Sequence, residues 1–132
     1  MNIHESAENY LETIFILKNR LGEVRSIDIA NELAFSKPSV SVAMKKLRVN
    51  GYIQINTNGH ITLTESGLRI AETMYERHML LSRCLIALGV DEKTAAEDAC
   101  RIEHVISQQS FERIRDHVIQ SDPEKPLFGN NA

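Results

Sequence analysis

Apolar residues recur along most of this chain at the three- and four-residue spacing of a helix, interrupted once by a short two-residue alternation. From Ser6 to Asn19, Tyr10, Ile14 and Leu17 form one stripe and Leu11 and Phe15 widen it. This predicts an amphipathic helix with Ser6 as its N-cap and Gly22 at its end. Ser26 to Leu33 reads as a short second helix, capped by Ser26, with Ile27, Ile29, Ala30 and Leu33 as its apolar positions. After a brief turn, Ala34-Phe35-Ser36, Ser36 caps a third helix. Pro38 stands in its first turn, where a missing N–H costs nothing, and Val40, Ala43, Met44 and Leu47 carry it to Asn50-Gly51. Two short helices joined by a tight turn, after a longer one, make a helix-turn-helix. Tyr52 to Asn56 then alternates as a strand, Thr57-Asn58-Gly59 turns, and His60 to Leu63 returns. A hairpin in that place is a wing, which usually lies along DNA phosphates.

The helical period resumes at once. Thr64 caps a long helix from Glu65 to about Leu88, bearing Leu68, Ile70, Ala71, Met74, Leu80, Leu81 and Leu85. Gly89-Val90 breaks it. A further helix starts at Asp91 or Thr94 and reaches Ser107, which caps a last helix through Phe111, Ile114 and Val118. The fold class expected is mainly α: an N-terminal winged helix-turn-helix with a small β-hairpin wing, followed by an all-α domain. The expected divisions are 1–70, 71–122 and an irregular tail, 123–132, holding Pro123, Pro126 and Gly129. The apolar residues of helices 65–88 and 108–119 exceed what one small domain can bury, so a homodimer through the helical domain is expected.

Composition sharpens this picture. The 132 residues are 42% hydrophobic, enough for a packed core. No apolar run approaches the roughly 18 residues of a membrane span, and Met1-Asn2-Ile3-His4-Glu5 lacks the basic and apolar regions of a signal peptide. The expectation is a cytoplasmic chain with no membrane partner, whose Cys84 and Cys100 stay reduced. The net charge of -3 argues against a wholly basic nucleic-acid coat. Locally, however, Arg25, Lys37, Lys45, Lys46 and Arg48 outnumber Asp28 and Glu32. Ser36, Lys37, Pro38, Ser39 and Ser41 crowd the N-terminal half of the third helix, where a recognition helix meets base edges. Small hydroxyls and a proline can lie close to DNA there and touch thymine methyls or phosphates, and Lys45 and Lys46 add charge toward the helix end. Duplex operator DNA is the partner expected, met by Arg25 and these third-helix residues.

A second chemistry lies in Glu97-Asp98-Ala99-Cys100-Arg101-Ile102-Glu103-His104. In a helix, Cys100, Glu103 and His104 project from one face. A thiolate, a carboxylate and an imidazole together suit a first-row transition metal. The plainer alternative is a half-buried thiol beside a surface acid and a capping histidine. Asn9 and Glu12 share a side of the first helix, as a solvated polar face also would. His78, on the long helix, is by itself more often a polar surface or core residue than a ligand.

Together these segments resemble the DtxR/MntR family of metal-activated transcriptional repressors over nearly the whole chain, in the two-domain form without the SH3-like domain of some members. The resemblance is carried by Asn9-Tyr10-Leu11-Glu12, Ser36-Lys37-Pro38-Ser39-Val40-Ser41, Leu63-Thr64-Glu65-Ser66-Gly67, Arg77-His78-Met79-Leu80-Leu81 and, most specifically, Cys100 to Ser107. The tail Pro126-Leu127-Phe128-Gly129-Asn130 is similar to the end of the second domain in iron-responsive members. It implies metal ligands at Asn9, Glu12, His78, Cys100, Glu103 and His104. Manganese-type members usually carry Asp where Asn9 stands and Glu where Cys100 stands; Cys100 matches the iron pattern. Ser82 and Ala96 replace ancillary ligands of iron-type members, and Val42 replaces a glutamine common in their reading helix.

The implied mechanism is direct. Ligands contributed by both domains would let one metal fix the domains' relative orientation, and two reading helices in a dimer must match half-sites about 34 Å apart. Fe(II) or Mn(II) is the expected effector, with Co(II), Ni(II) and Zn(II) able to bind in vitro, and no organic cofactor is expected. Cys100 and the uncharged Asn9 lean toward Fe(II). A winged-helix regulator sensing a small molecule or an oxidant through Cys100 is the alternative. A metallo-enzyme is a further rival, against which stands the absence of an independent nucleophile motif. The chain is therefore expected not to be an enzyme.

Overall fold

The spacing of apolar residues becomes eight elements in the computed structural model, which describes residues 3–121: helices α1 (Ile3–Leu21), α2 (Ser26–Leu33) and α3 (Lys37–Val49), strands β1 (Ile53–Ile55) and β2 (Ile61–Leu63), and helices α4 (Glu65–Ala87), α5 (Glu92–Ile102) and α6 (Gln108–Ser121). The chain divides into two compact units, Met1–Thr73 and Met74–Ala132, and α4 supplies residues to both. The expected irregular tail, 123–132, lies outside the described residues.

In the first unit, α1 buries the predicted stripe: Tyr10, Leu11, Ile14 and Leu17 join Val24, Ile29, Val40, Met44, Ile53, Ile61 and Ala71 in one core. Full burial of each large aliphatic side chain favours the fold by about 1.5–3 kcal/mol. Helix α1 begins earlier than expected, so Ser6 lies inside it and is not its N-cap. No breaker precedes Ser6, and Glu5 in the first turn suits the helix dipole. At the other end, Gly22 adopts a φ of 86° and its N–H donates to the Lys18 carbonyl. Ser26 is likewise the first residue of α2 and not its cap. Position 25 caps it, and the Arg25 N–H donates to the Asp28 carboxylate at 2.9 Å. Ile27 and Leu68, expected inside, are 39% and 37% exposed.

The α2–α3 turn and the hairpin position α3. Ala34 closes α2 in the left-handed conformation, at φ 57°, and its N–H donates to the Ala30 carbonyl. Ser36 caps α3 as expected, accepting from the Ser39 N–H at 3.3 Å. Tyr10 and Phe35 meet edge to face, with ring centroids 6.1 Å apart, and burial pushes the Tyr10 phenol up. Strands β1 and β2 pair antiparallel, with Ile53 opposite Leu63 and Ile55 opposite Ile61. Asn56 organises the wing tip. Its side-chain oxygen accepts from the N–H groups of Asn58 and His60, and its carbonyl accepts from the Gly59 N–H.

Thr64 caps α4, accepting from the Gly67 N–H and donating to the Gly51 carbonyl at 2.7 Å. Gly67 packs against the segment just after α3: a Cβ built there would lie 2.0 Å from the Tyr52 carbonyl oxygen. In the second unit, Met74, Leu80 and Leu81 of α4, Ala95 and Ala99 of α5, and Phe111 of α6 are buried. Asp91, one of the two expected starts, caps α5, accepting from the Thr94 N–H at 3.1 Å. That bond holds the Asp91 carboxyl below its usual range. The cap therefore contributes above the ordinary carboxylate range and is lost as pH falls through the lowered value. Ser107 caps α6, accepting from the Ser110 N–H at 3.1 Å.

Two substitutions test these constraints in opposite directions. Ala34→Gly removes the left-handed penalty and is expected to stabilise the protein by about 1 kcal/mol. This should appear as a higher urea midpoint at unchanged slope. Gly67→Ala places a methyl group against backbone and is expected to lower the midpoint. A neutral Gly67→Ala would contradict the close approach at Tyr52.

Candidate metal centre and DNA-reading face

The sequence predicts one helix carrying Cys100, Glu103 and His104 on to Ser107, but α5 stops at Ile102. Glu103 is the C-cap, still in right-handed helical conformation (φ -58°, ψ -27°), and its N–H donates to the Ala99 carbonyl at 2.9 Å. The chain then tightens, with the N–H groups of both Val105 and Ile106 donating to the Ile102 carbonyl. Two β-branched residues followed by the Ser107 cap of α6 favour ending the helix here. Because Glu103 keeps helical dihedrals, the expected convergence survives the early stop. One ligand atom from each of Cys100, Glu103 and His104 lies within 4.8 Å of the others.

His78 of α4 meets this cluster. Its Nδ1 lies 2.9 Å from Glu103 Oε1, and Glu103 is 0% exposed. A carboxylate so buried is favourable only with polar partners, and His78 is one. Cys100 stands at the exposed edge. A thiolate, a carboxylate and an imidazole gathered in this way fit a divalent first-row metal, whose bonds to such donors are usually about 2.0–2.3 Å.

A residue whose role the sequence did not reveal holds the cluster in place. Arg77, beside His78, donates from Nη1 to the carbonyls of Glu103 (3.0 Å) and Ile106 (3.1 Å), and from Nη2 to Gln108 Oε1 (2.9 Å). Its guanidinium also stacks on Phe111 at 5.6 Å. Arg77 thus takes up carbonyls that the end of α5 leaves without helical partners. Arg77 lies in the polar run Glu76-Arg77-His78 and so carried no local signal of this role, and its partners lie 26 to 31 residues away.

The remaining expected site residues lie in the first unit. Asn9 and Glu12 are on α1; Asn9 is half-buried, Glu12 is buried, and the Asn9 carbonyl accepts from the Thr13 hydroxyl at 2.8 Å. Arg25, Ser36, Lys37, Pro38, Ser39, Ser41, Lys45 and Lys46 are all exposed, at the start of α2 and along α3. The Ser36 and Ser39 hydroxyls bond each other at 2.8 Å beside the α3 N-terminus, where backbone N–H groups favour an anion such as a DNA phosphate. No helix among the described residues is long and apolar enough to cross a membrane.

Two family models match the chain. Residues 2–61 match the iron dependent repressor N-terminal DNA binding domain, and residues 64–124 match the iron dependent repressor metal binding and dimerisation domain. The HTH-type transcriptional regulator MntR of Lysinibacillus sphaericus is 34% identical over 121 residues, covering 90% of this chain and 87% of that protein. Among solved structures, the manganese regulator SloR superposes with a TM-score of 0.74 at 26% identity, covering 85% of this chain and 53% of that one. A manganese-dependent transcriptional repressor in complex with manganese superposes at 0.76 and 27% identity, covering 85% and 52%. The chain thus spans about half the length of these two solved regulators.

Arg77→Lys keeps the charge but cannot span two carbonyls and an amide. It is expected to lower unfolding free energy by about 1–3 kcal/mol, measured by urea titration of the metal-free protein. An unchanged midpoint would contradict the clamp.

Proposed function

The chain belongs to the iron dependent repressor family, and from that premise we propose that it is a metal-activated transcriptional repressor, a homodimer that holds operator DNA when loaded with Fe(II) or Mn(II). The observation that carries this reading is the meeting of Cys100, Glu103 and His104, with His78 on Glu103, in a chain whose other unit presents a capped, basic reading helix. Cys100, Glu103, His104 and His78 are the proposed ligands of the helical unit, and Glu12 and Asn9 those of α1. The domains proposed are 1–70 for DNA and 71–122 for metal and dimerisation. Ile86, Leu88, Val105 and Ile119, exposed in the second unit, supply apolar surface for a partner copy. The protein acts in the cytoplasm and has no catalytic task in this reading.

When bound, the metal supplies a link between ligands of the two domains and so favours the arrangement that fits two half-sites. The thiolate of Cys100 and the uncharged amide of Asn9 favour Fe(II) over the harder Mn(II). The exposure of Cys100 also favours a second reading, an oxidant sensor. Under that reading peroxide, and not metal, would change operator affinity.

The test starts from an operator selected out of random duplexes without oxygen. Its affinity is expected to rise with Fe(II) or Mn(II), and His78→Ala and Glu103→Ala are expected to lose that rise while keeping helical circular dichroism. Equal affinity of metal-free and metal-loaded protein would contradict the proposal. Lys37→Gln or Lys45→Gln is expected to weaken binding and to lower the salt slope by about one; unchanged slopes in both would remove α3 from the interface.

A further inference from the structure

Helix α3 buries Val40, Met44 and Leu47 and half-buries Ala43. At helical spacing, the stripe opposite that face is Pro38, Val42, Lys45 and Val49. All four are exposed, Val42 at 56% and Val49 at 73%. Two valines on the water-facing line of a reading helix find no core to bury them within α3's own packing. Val42 has Ser39 and Lys46 for neighbours on the same helix, groups suited to phosphates and polar base edges. It falls in the N-terminal half, the part of a recognition helix that meets bases, whereas Val49 ends the helix. In the major groove the one apolar feature of a base pair is the C5-methyl group of thymine, and side chains that read it are small and apolar.

We propose that Val42 is a specificity-determining residue, selecting thymine at one position of each operator half-site by packing its side chain on the 5-methyl group. The inference rests on the proposed role of α3 as the DNA reader. Val42 offers that methyl an aliphatic partner, which the polar ends of Ser39, Lys45 and Lys46 do not. Val49 has the same chemistry and greater exposure but a different place on the helix, so it serves as an internal control.

The full-length protein, loaded with Mn(II), is used to select an operator from random duplexes, and each thymine is then replaced by uracil, which deletes only the methyl. At one thymine per half-site the replacement is expected to weaken binding about fourfold, the equivalent of about 0.8 kcal/mol for one buried CH₂. Val42→Ala and Val42→Gln are expected to abolish that difference between thymine and uracil, and Val49→Ala to preserve it. An operator indifferent to every uracil replacement, or a methyl effect that survives in both Val42 variants, would overturn the inference. So would an equal loss on thymine and uracil duplexes in Val42→Ala. That result would make Val42 only a lining residue of the hollow of about 220 Å³ that it shares with Ala7 and Tyr10. Failure to select any operator would instead count against α3 as a DNA reader.

Discussion

A buried carboxylate at the end of a helix sets the terms for the second unit. Glu103 has no exposed surface, and its position one residue beyond α5 places its carbonyl where no further helical turn can bond it. Arg77 takes the carbonyl and His78 takes the carboxylate, so consecutive residues of α4 grip both ends of the same amino acid. The grip extends to the Ile106 carbonyl and Gln108, and so defines the path from α5 into α6. Leaving such groups without partners would cost more than the bonds themselves contribute. Two of the donors that suit a metal, His78 and Glu103, are therefore already drawn together by ordinary hydrogen-bonding needs.

The first unit answers to a different constraint, the presentation of α3. One face of that helix is fixed by Val40, Met44 and Leu47 in the core, which leaves the opposite face to solvent. The Ser36 cap and the Ala34 turn fix where the helix starts, and the contact of Gly67 with Tyr52 fixes the path of the chain beyond its end. The small residue at position 67 is required by backbone proximity and not by chain flexibility. Charge is distributed unevenly: an acidic chain keeps α3 basic.

Much of this was legible in the sequence because it arises from local rules. The α3 cap, the Asn-Gly turn, the Thr64 and Ser107 caps and the core stripe of α1 each depend on residues within a few positions of one another. Helix ends read less well. Ser6 has the chemistry of a cap, yet the chain before it is compatible with helix and the boundary lies further out. Ser26 is displaced by one position, because Asp28 accepts from the N–H of the extended Arg25. The early end of α5 was not legible, because the interactions that reward it come from Arg77, distant in sequence. The ligand convergence was legible all the same, since Glu103 retains helical dihedrals after the helix has formally ended. Val42 stood out in the sequence only as a departure from a glutamine common in similar chains, and the burial of its neighbours is what makes its exposure informative.

Metal and DNA are proposed to bind distinct sites on one chain, so each must alter the affinity for the other by the same factor. The most direct measurement is therefore the Fe(II) or Mn(II) dissociation constant, determined without oxygen in the absence and presence of saturating operator duplex. Operator is expected to tighten metal binding by the same factor by which that metal tightens operator binding. A metal affinity that is identical with and without operator would contradict the coupling.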